Sequence, residues 1–173
     1  MNIKLRKECL GMGLIGWIVA IPALLVGLVV LIFILCEINK AYWDNRVTKM
    51  CKEDGGATVF EIINISQDEY KKLGGINGAI PIPSERTKKD NDPYFAKRKK
   101  QYLNEGNPKV IKRITEIIRR DDKKVLGILT SYSRIGGDIP TGIAHPSSFS
   151  CRNVEGVSLD IEKQIFIVNG GVG

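Results

Sequence analysis

The sequence predicts an α+β protein in which a membrane-spanning helix is followed by one small domain with an antiparallel sheet and one or two short helices. Two observations support this prediction. The run from Cys9 to Cys36 contains no charged residue, and the later chain alternates β-branched, apolar segments with glycine-rich turns. The chain has 173 residues, so residues 55–173 suffice for one domain with a modest core.

The apolar run is long enough to cross a bilayer, which takes about 20 residues. Residues 9–36 are the predicted transmembrane helix, and residues 1–8 are the predicted cytoplasmic tail. A cleaved signal peptide is the alternative, because the tail is basic. Signal peptides have an apolar stretch of about 7 to 15 residues and end in small residues. Because this run continues to Phe33 and Cys36, we expect an uncleaved anchor.

Small residues in the run have two interpretations. The glycines of 11–16 formally match a dinucleotide-binding pattern, but that pattern follows a strand and faces phosphate, so no cofactor is expected. Gly16 with Ala20, and Ala23 with Gly27, provide small residues at four-residue spacing. Such spacing permits self-association or packing against a partner helix, although glycine is common in membrane helices in general.

Two cysteines bear on the compartment of the domain. Basic residues flank both ends of the run, so charge alone barely decides the orientation. A bridge between Cys51 and Cys151 would close a loop of about 100 residues and add on the order of 4 to 5 kcal/mol at most. Because disulfides persist in oxidising compartments, a bridge fits a cytoplasmic N-terminus and a periplasmic domain. Two buried free thiols are the alternative.

The elements after the run follow from local patterns. Residues 37–54 contain good helix formers and predict a stalk helix that ends at Gly55. Residues 57–65 are rich in β-branched residues and predict a strand. Ser66 and Glu69 form a capping box that opens a short helix.

The middle of the domain predicts a loop and then a basic strand. Residues 74–92 contain glycines and prolines without periodicity, whereas residues 94–103 predict a solvent-exposed edge strand. Lysines on an edge strand discourage unwanted pairing, and a patch for phosphate or lipid headgroups is the alternative. The basic cluster consists of Lys97, Arg98, Lys99 and Lys100.

Residues 110–120 carry conflicting signals. Their apolar residues fall at helical spacing. Their isoleucine content and the turn at Asp121 and Asp122 instead predict a hairpin with residues 125–132. The apolar run 164–168 predicts a last strand in the same sheet.

The densest group of reactive side chains lies between residues 131 and 151. It holds the single histidine, His145, near Asp138, Ser147 and Cys151, so a Ser-His-Asp or Cys-His hydrolase is one candidate. The chain lacks a nucleophile elbow, and the order His-Pro-Ser-Ser fits a tight turn. One histidine without a close cysteine pair predicts no metal site. We therefore expect a protein that is not an enzyme.

A binding loop is the other interpretation of this region. Arg134, Gly136, Gly137 and Asp138, together with His145, would let a ligand approach the backbone closely. Glycines needed only for positive φ are the simpler explanation. The net charge of +7 is mild and dispersed, which suits an anionic membrane surface or an acidic protein partner and argues against nucleic acid.

Several motifs resemble a family of small, uncharacterised bacterial proteins with one membrane span. The resemblance implies a strand for 110–120 and a disulfide between Cys51 and Cys151, but no reaction. The motifs are Cys51 to Gly56, Val59 to Glu61, Arg119 to Asp121 before Val125 to Gly127, Ser131 to Asp138, and His145 to Cys151.

The sequence thus predicts a single-pass inner-membrane protein whose periplasmic domain binds a protein partner or a membrane complex. The role would be that of an accessory subunit, an exclusion or immunity factor, or an assembly factor. A membrane-tethered hydrolase that uses His145 and a domain that binds anionic lipid are the alternatives.

Overall fold

One helix connects the apolar run to the domain in the computed structural model, which describes residues 3–138 and 145–169, with side chains from Val19 onward. Helix α1 extends over Ile3–Asp54, 52 residues, which is about 78 Å. In the described residues it is the one helix long and apolar enough to cross a membrane. The predicted transmembrane and stalk helices are therefore a single continuous helix.

The domain is an antiparallel sheet with a few short helices, which confirms the α+β prediction. The sheet has the order β1-β5-β4-β3, β6 pairs with the end of β5, and β2 and β7 form a separate parallel pair. The elements after α1 are β1 Gly56–Val59, β2 Ile63–Ser66, α2 Gln67–Lys72, β3 Tyr94–Asn104, β4 Lys109–Arg119, β5 Val125–Ile135, β6 Ser148–Ser150, a 3-10 helix Cys151–Asn153, α3 Ile161–Ile165 and β7 Phe166–Asn169.

Most local predictions are confirmed. The capping box of Ser66 and Glu69 opens α2, and β3 is the edge strand of the main sheet. Residues 109–119 form a strand that pairs with β5, so helical spacing alone would have given the wrong element.

Two predictions about strands are wrong. The expected strand over 57–65 is split, because the amides of Phe60 and Glu61 both donate to the carbonyl of Leu126 and interrupt the ladder. Its second half becomes β2, which leaves the main sheet. The run 164–168 does not join the main sheet either, because Phe166–Asn169 pairs with β2.

Two apolar cores lie on opposite faces of the sheet. The first core lies under α3 and the β2-β7 pair, on the face that we call the outer face, and consists of Ile65, Ile80, Ala96, Ile117, Leu126, Ile161, Ile165 and Phe166. The second core joins α1 to the other face, which we call the helix-side face, and consists of Val47, Cys51, Val110, Tyr132, Cys151 and Val154.

The second core changes the meaning of the predicted stalk. Val47 and Cys51 on α1 are fully buried against the sheet. Residues 37–54 therefore do not form a free spacer between membrane and domain. Their C-terminal half is part of the domain.

Candidate functional site

The predicted disulfide is present. Cys51 at the end of α1 and Cys151 in the 3-10 helix are bonded, with a Cα to Cα distance of 5.3 Å and a sequence separation of 100. Both cysteines are fully buried, and the amide of Tyr132 lies 3.1 Å from Cys151 Sγ. The bridge therefore attaches α1 covalently to the segment that follows β6.

Arg134 faces helix α1. Its side chain is 1% exposed, and its Nε donates to Asp44 Oδ1 on α1 over 2.5 Å. Its Nη1 donates to the carbonyl of Gly136 and to Ser147 Oγ. Since its donors point into the protein, Arg134 joins the helix to the loop rather than presenting a charge to a ligand in solvent.

Gly136 and Gly137 both have positive φ angles, which was the simpler explanation for glycines at these positions. Their φ angles are +84° and +93°, which favour glycine. A Cβ on Gly136 would lie 2.6 Å from Asn107 Oδ1, and the Gly137 amide donates to the same oxygen over 2.6 Å. Both glycines are buried against the β3-β4 turn, so their backbone is packed against protein.

Asp138 and Ser147 form a closed turn. Asp138 accepts from the Ser147 amide over 2.5 Å and from Ser147 Oγ over 2.6 Å. The hydrogen bond from Ser147 lowers the pKa of Asp138 below its usual 3.8. Lys40 on α1 lies 4.0 Å from Asp138, so this turn also contacts the helix.

His145 is exposed at the end of the described part of this loop. The structure does not describe residues 139–144. Among the described residues, no hydrogen bond joins His145 to Ser147 or Asp138, and the Ser147 hydroxyl donates to Asp138 instead. A relay in which His145 activates Ser147 therefore gains no support from the described contacts.

A second polar cluster fixes the end of α1. Lys112 Nζ lies 2.6 Å from Asp54 Oδ2, and the Tyr132 hydroxyl donates to the same oxygen. The bond to Lys112 is the main cause that lowers the pKa of Asp54, and the bond to Asp54 raises the pKa of Lys112. Together with Arg134 and the disulfide, this cluster attaches residues 44–54 of α1 to the sheet.

The predicted basic cluster is divided between the two faces of β3. Lys97 pairs in register with Glu116, and Lys99 with Ile114, on the helix-side face. Lys99 also forms an ion pair with Glu116 at 3.0 Å. Arg98 and Lys100 point to the outer face, because side chains alternate along a strand.

The outer face collects two basic residues that the sequence analysis did not include. Arg113 lies directly opposite Lys100 in the ladder, and Lys109 stands opposite Ile135 on the same face. We call Arg98, Lys100, Lys109 and Arg113 the outer basic face. Only the pairing register could have revealed it, because the two strands are separated in sequence and the strand assignment of β4 was itself ambiguous.

Metal binding gains no support in the described residues, which contain no group of three His, Cys, Asp or Glu side chains that could hold an ion. The predicted packing face of α1 is described in part. Ala20, Ala23 and Gly27 are exposed on α1, and a Cβ on Gly27 would meet nothing within 4 Å. The environment of Gly16 lies outside the described side chains.

Comparisons of the chain with protein-family models, curated proteins and solved structures find no match. Any function is therefore inferred from the site itself.

Proposed function

We propose that the chain is a single-pass protein of a bacterial inner membrane whose periplasmic domain recognises a protein partner or a membrane complex without catalysing a reaction. The observation that carries this proposal is the continuous helix α1. One end is apolar and exposed along its length. The other end is attached to the domain by Arg134 and the Cys51–Cys151 bridge.

The disulfide supports the orientation. Protein disulfides persist in oxidising compartments such as the periplasm and are rare in the cytosol. Both sulfurs are buried, so the bridge is a structural one. With α1 across the membrane, a periplasmic domain places the N-terminus in the cytoplasm.

The contacts of Lys40 support a position close to the bilayer. Lys40 lies four residues after Cys36, which is about 6 Å along a helix. The headgroup layer is about 5 to 7 Å thick, and Asp138 lies 4.0 Å from the Lys40 ammonium. This loop of the domain therefore lies at the membrane surface, which suits recognition of a membrane-embedded complex. Accessory, exclusion or immunity, and assembly roles all share this geometry.

Cross-linking in native membranes, followed by purification of the full chain and mass spectrometry, tests the proposal. We expect to recover a defined protein partner, and to recover the same amount of it from the His145→Ala variant. The Cys51–Cys151 bridge should be intact in both proteins. Asn64→Ala, an exposed change on β2, is the matched control. Loss of function in His145→Ala with unchanged folding, or cross-links to lipid alone, would contradict the proposal.

A further inference from the structure

The outer basic face carries an excess of positive charge, although Glu85 lines a shallow pocket together with Arg98. Its four basic residues stand near Thr115, Ser131, Ser133 and Tyr102, and no acidic residue occupies the outer-face positions of these rows of the ladder. Among the described residues, none of the four forms an ion pair, whereas Lys99, Lys112, Arg119 and Arg134 of the same sheet all do.

Lys100 and Arg113 are direct cross-strand neighbours. Cβ atoms of such pairs lie about 5 Å apart, and like charges there destabilise a sheet. Lys100 Nζ donates to the Tyr102 hydroxyl over 2.7 Å, and Arg113 Nη1 donates to Ser133 Oγ over 2.8 Å. These neutral partners orient both cations but leave their charges unbalanced. An external anion would relieve the repulsion.

The outer basic face is open to solvent. The first core reaches Leu129, in the row of Arg98 and Thr115, and Ile111 on the same face is 2% exposed. The side chains of Arg98, Lys100, Lys109 and Arg113 are nevertheless exposed. Tyr102, between the lysines, is 45% exposed.

The direction of the sheet shows how the outer face stands relative to α1. Contacts with α1 run in reverse order along the chain, since Asp54 meets Tyr132, Asp44 meets Arg134, and Lys40 meets Asp138. The strands therefore run alongside the axis of α1, and the outer face of the sheet is turned away from α1. With α1 across the bilayer, this face stands upright beside the membrane. Lys109 lies opposite Ile135, at the end near Lys40 and Asp138, whereas Arg98 lies at the far end of the outer basic face. A bilayer could contact the Lys109 end, so lipid binding is an outcome of the test below.

The edge of β3 favours an extended segment. The amide of Ala96 donates to Pro83, and the carbonyl of Ala96 accepts from Glu85. Because backbone groups alternate along a strand, Arg98 and Lys100 direct theirs to the same edge. No backbone hydrogen bond occupies them among the described residues. An added strand would find free donors and acceptors next to two cations.

We propose that the outer basic face and the adjoining β3 edge bind an extended acidic segment of a partner protein. Carboxylates at alternate positions of such a segment are about 7 Å apart, which matches the spacing of Arg98 and Lys100. This inference rests on the proposed function and specifies the chemistry of its partner. The lysines at the edge exclude neutral strands and thereby provide selectivity.

A peptide probe tests the inference on the full chain in nanodiscs of zwitterionic lipid. The probe is a labelled octapeptide that alternates Glu and Ser, and the same peptide with Gln replacing Glu is its control. We expect salt-sensitive binding of the Glu peptide alone. Lys100→Glu with Arg113→Glu should weaken it about tenfold or more. Lys71→Glu with Lys72→Glu, an equal charge change on exposed residues of α2, should have little effect.

Three results would overturn the inference. The first is equal weakening of peptide binding in both double variants. The second is no binding of the Glu peptide. The third is binding of the nanodisc-embedded chain to free lipid vesicles, and only when those vesicles contain phosphatidylglycerol. The last result would assign the face to lipid. Thermal unfolding of each variant shows whether a loss of binding reflects a loss of folding.

Photo-cross-linking separates this inference from the proposed function. Tyr102, Tyr42 and Phe60 are exposed aromatics on the outer face, on α1 and beside β1, and each is replaced in turn by p-benzoylphenylalanine. A partner protein cross-linked from Tyr102, and lost in the Lys100→Glu, Arg113→Glu variant, supports the inference. A partner cross-linked only from the other two positions contradicts it and leaves the proposed function standing. Cross-links to lipid alone from all three contradict both.

Discussion

Arg134 Nε donates to Asp44 Oδ1 over 2.5 Å and joins helix α1 to the central sheet. The guanidinium is 1% exposed, whereas the carboxylate is 27% exposed. The arginine is therefore buried and depends on its partner on α1. A shift of the helix relative to the sheet would remove the ion-pair partner of this buried charge.

Asp44→Ala should destabilise the domain, because it leaves the buried Arg134 unpaired. We expect a loss on the order of 3 kcal/mol in the free energy of unfolding, measured by urea unfolding of the full chain in non-ionic detergent. Arg134→Met together with Asp44→Ala should recover part of that loss, since both charges are then absent. An Asp44→Ala protein as stable as the original chain would show that the pair does not hold the helix in place.

The Cys51–Cys151 bridge should stabilise the domain through the unfolded state. A loop of 100 residues corresponds to about 4 to 5 kcal/mol at most. Cys51→Ser with Cys151→Ser should lower the urea midpoint strongly, and reductant should then have no further effect. Cys36→Ser, at a free cysteine, is the matched control and should leave the midpoint unchanged. Equal midpoints in all three proteins would contradict this account.

Acid should destabilise the domain between about pH 4 and pH 2. Arg119 lowers the pKa of Asp122 from 3.8 to about 2, and hydrogen bonds from Arg119 and Lys124 lower the pKa of Glu61. A carboxyl whose pKa is lower in the folded state contributes stability above its unfolded pKa. That stability is lost as the pH falls through the folded pKa.

Urea midpoints measured from pH 7 to pH 2 test this pH dependence. We expect a constant midpoint down to about pH 5 and a decline below pH 4. Asp122→Asn should flatten the decline, whereas Asp90→Asn, an exposed residue without an ion pair in the described part of the chain, should not. A decline of the same steepness in both variants would show that Asp122 is not responsible.

Gly136→Ala should cost more stability than Gly78→Ala. Both residues have positive φ, +84° and +76°, so both changes carry backbone strain of about 1 to 2 kcal/mol. Gly78 has open space around an added Cβ, whereas at Gly136 that Cβ would lie 2.6 Å from Asn107 Oδ1. The difference between the two urea midpoints measures the steric part alone. Equal losses would mean that the loop moves away from Asn107 without cost.

Local signals predicted much of the fold. The length of the apolar run, the capping box at Ser66 and the turn at Asp122 are encoded within a few residues. The resemblance supported the strand assignment of β4 and the pairing of Cys51 with Cys151, both of which the structure contains.

Long-range pairing was beyond sequence reasoning. Nothing near Phe166 indicates that β7 pairs with β2 rather than with the main sheet. The sequence assigned Arg134 to a binding loop, because its partner Asp44 lies 90 residues away in the chain. The outer basic face likewise exists only through the register that places Arg113 opposite Lys100.

The compartment of the domain is the central claim, and thiol labelling in intact cells tests it most directly. Cells are quenched in acid, the chain is denatured in a maleimide of low mass without reductant and then reduced, and new thiols are labelled with a heavy maleimide. We predict that Cys51 and Cys151 acquire the heavy label, because a bridge in the periplasm protects them, whereas Cys36 takes the light label. Light label on both Cys51 and Cys151, showing reduced thiols in the cell, would contradict a periplasmic domain.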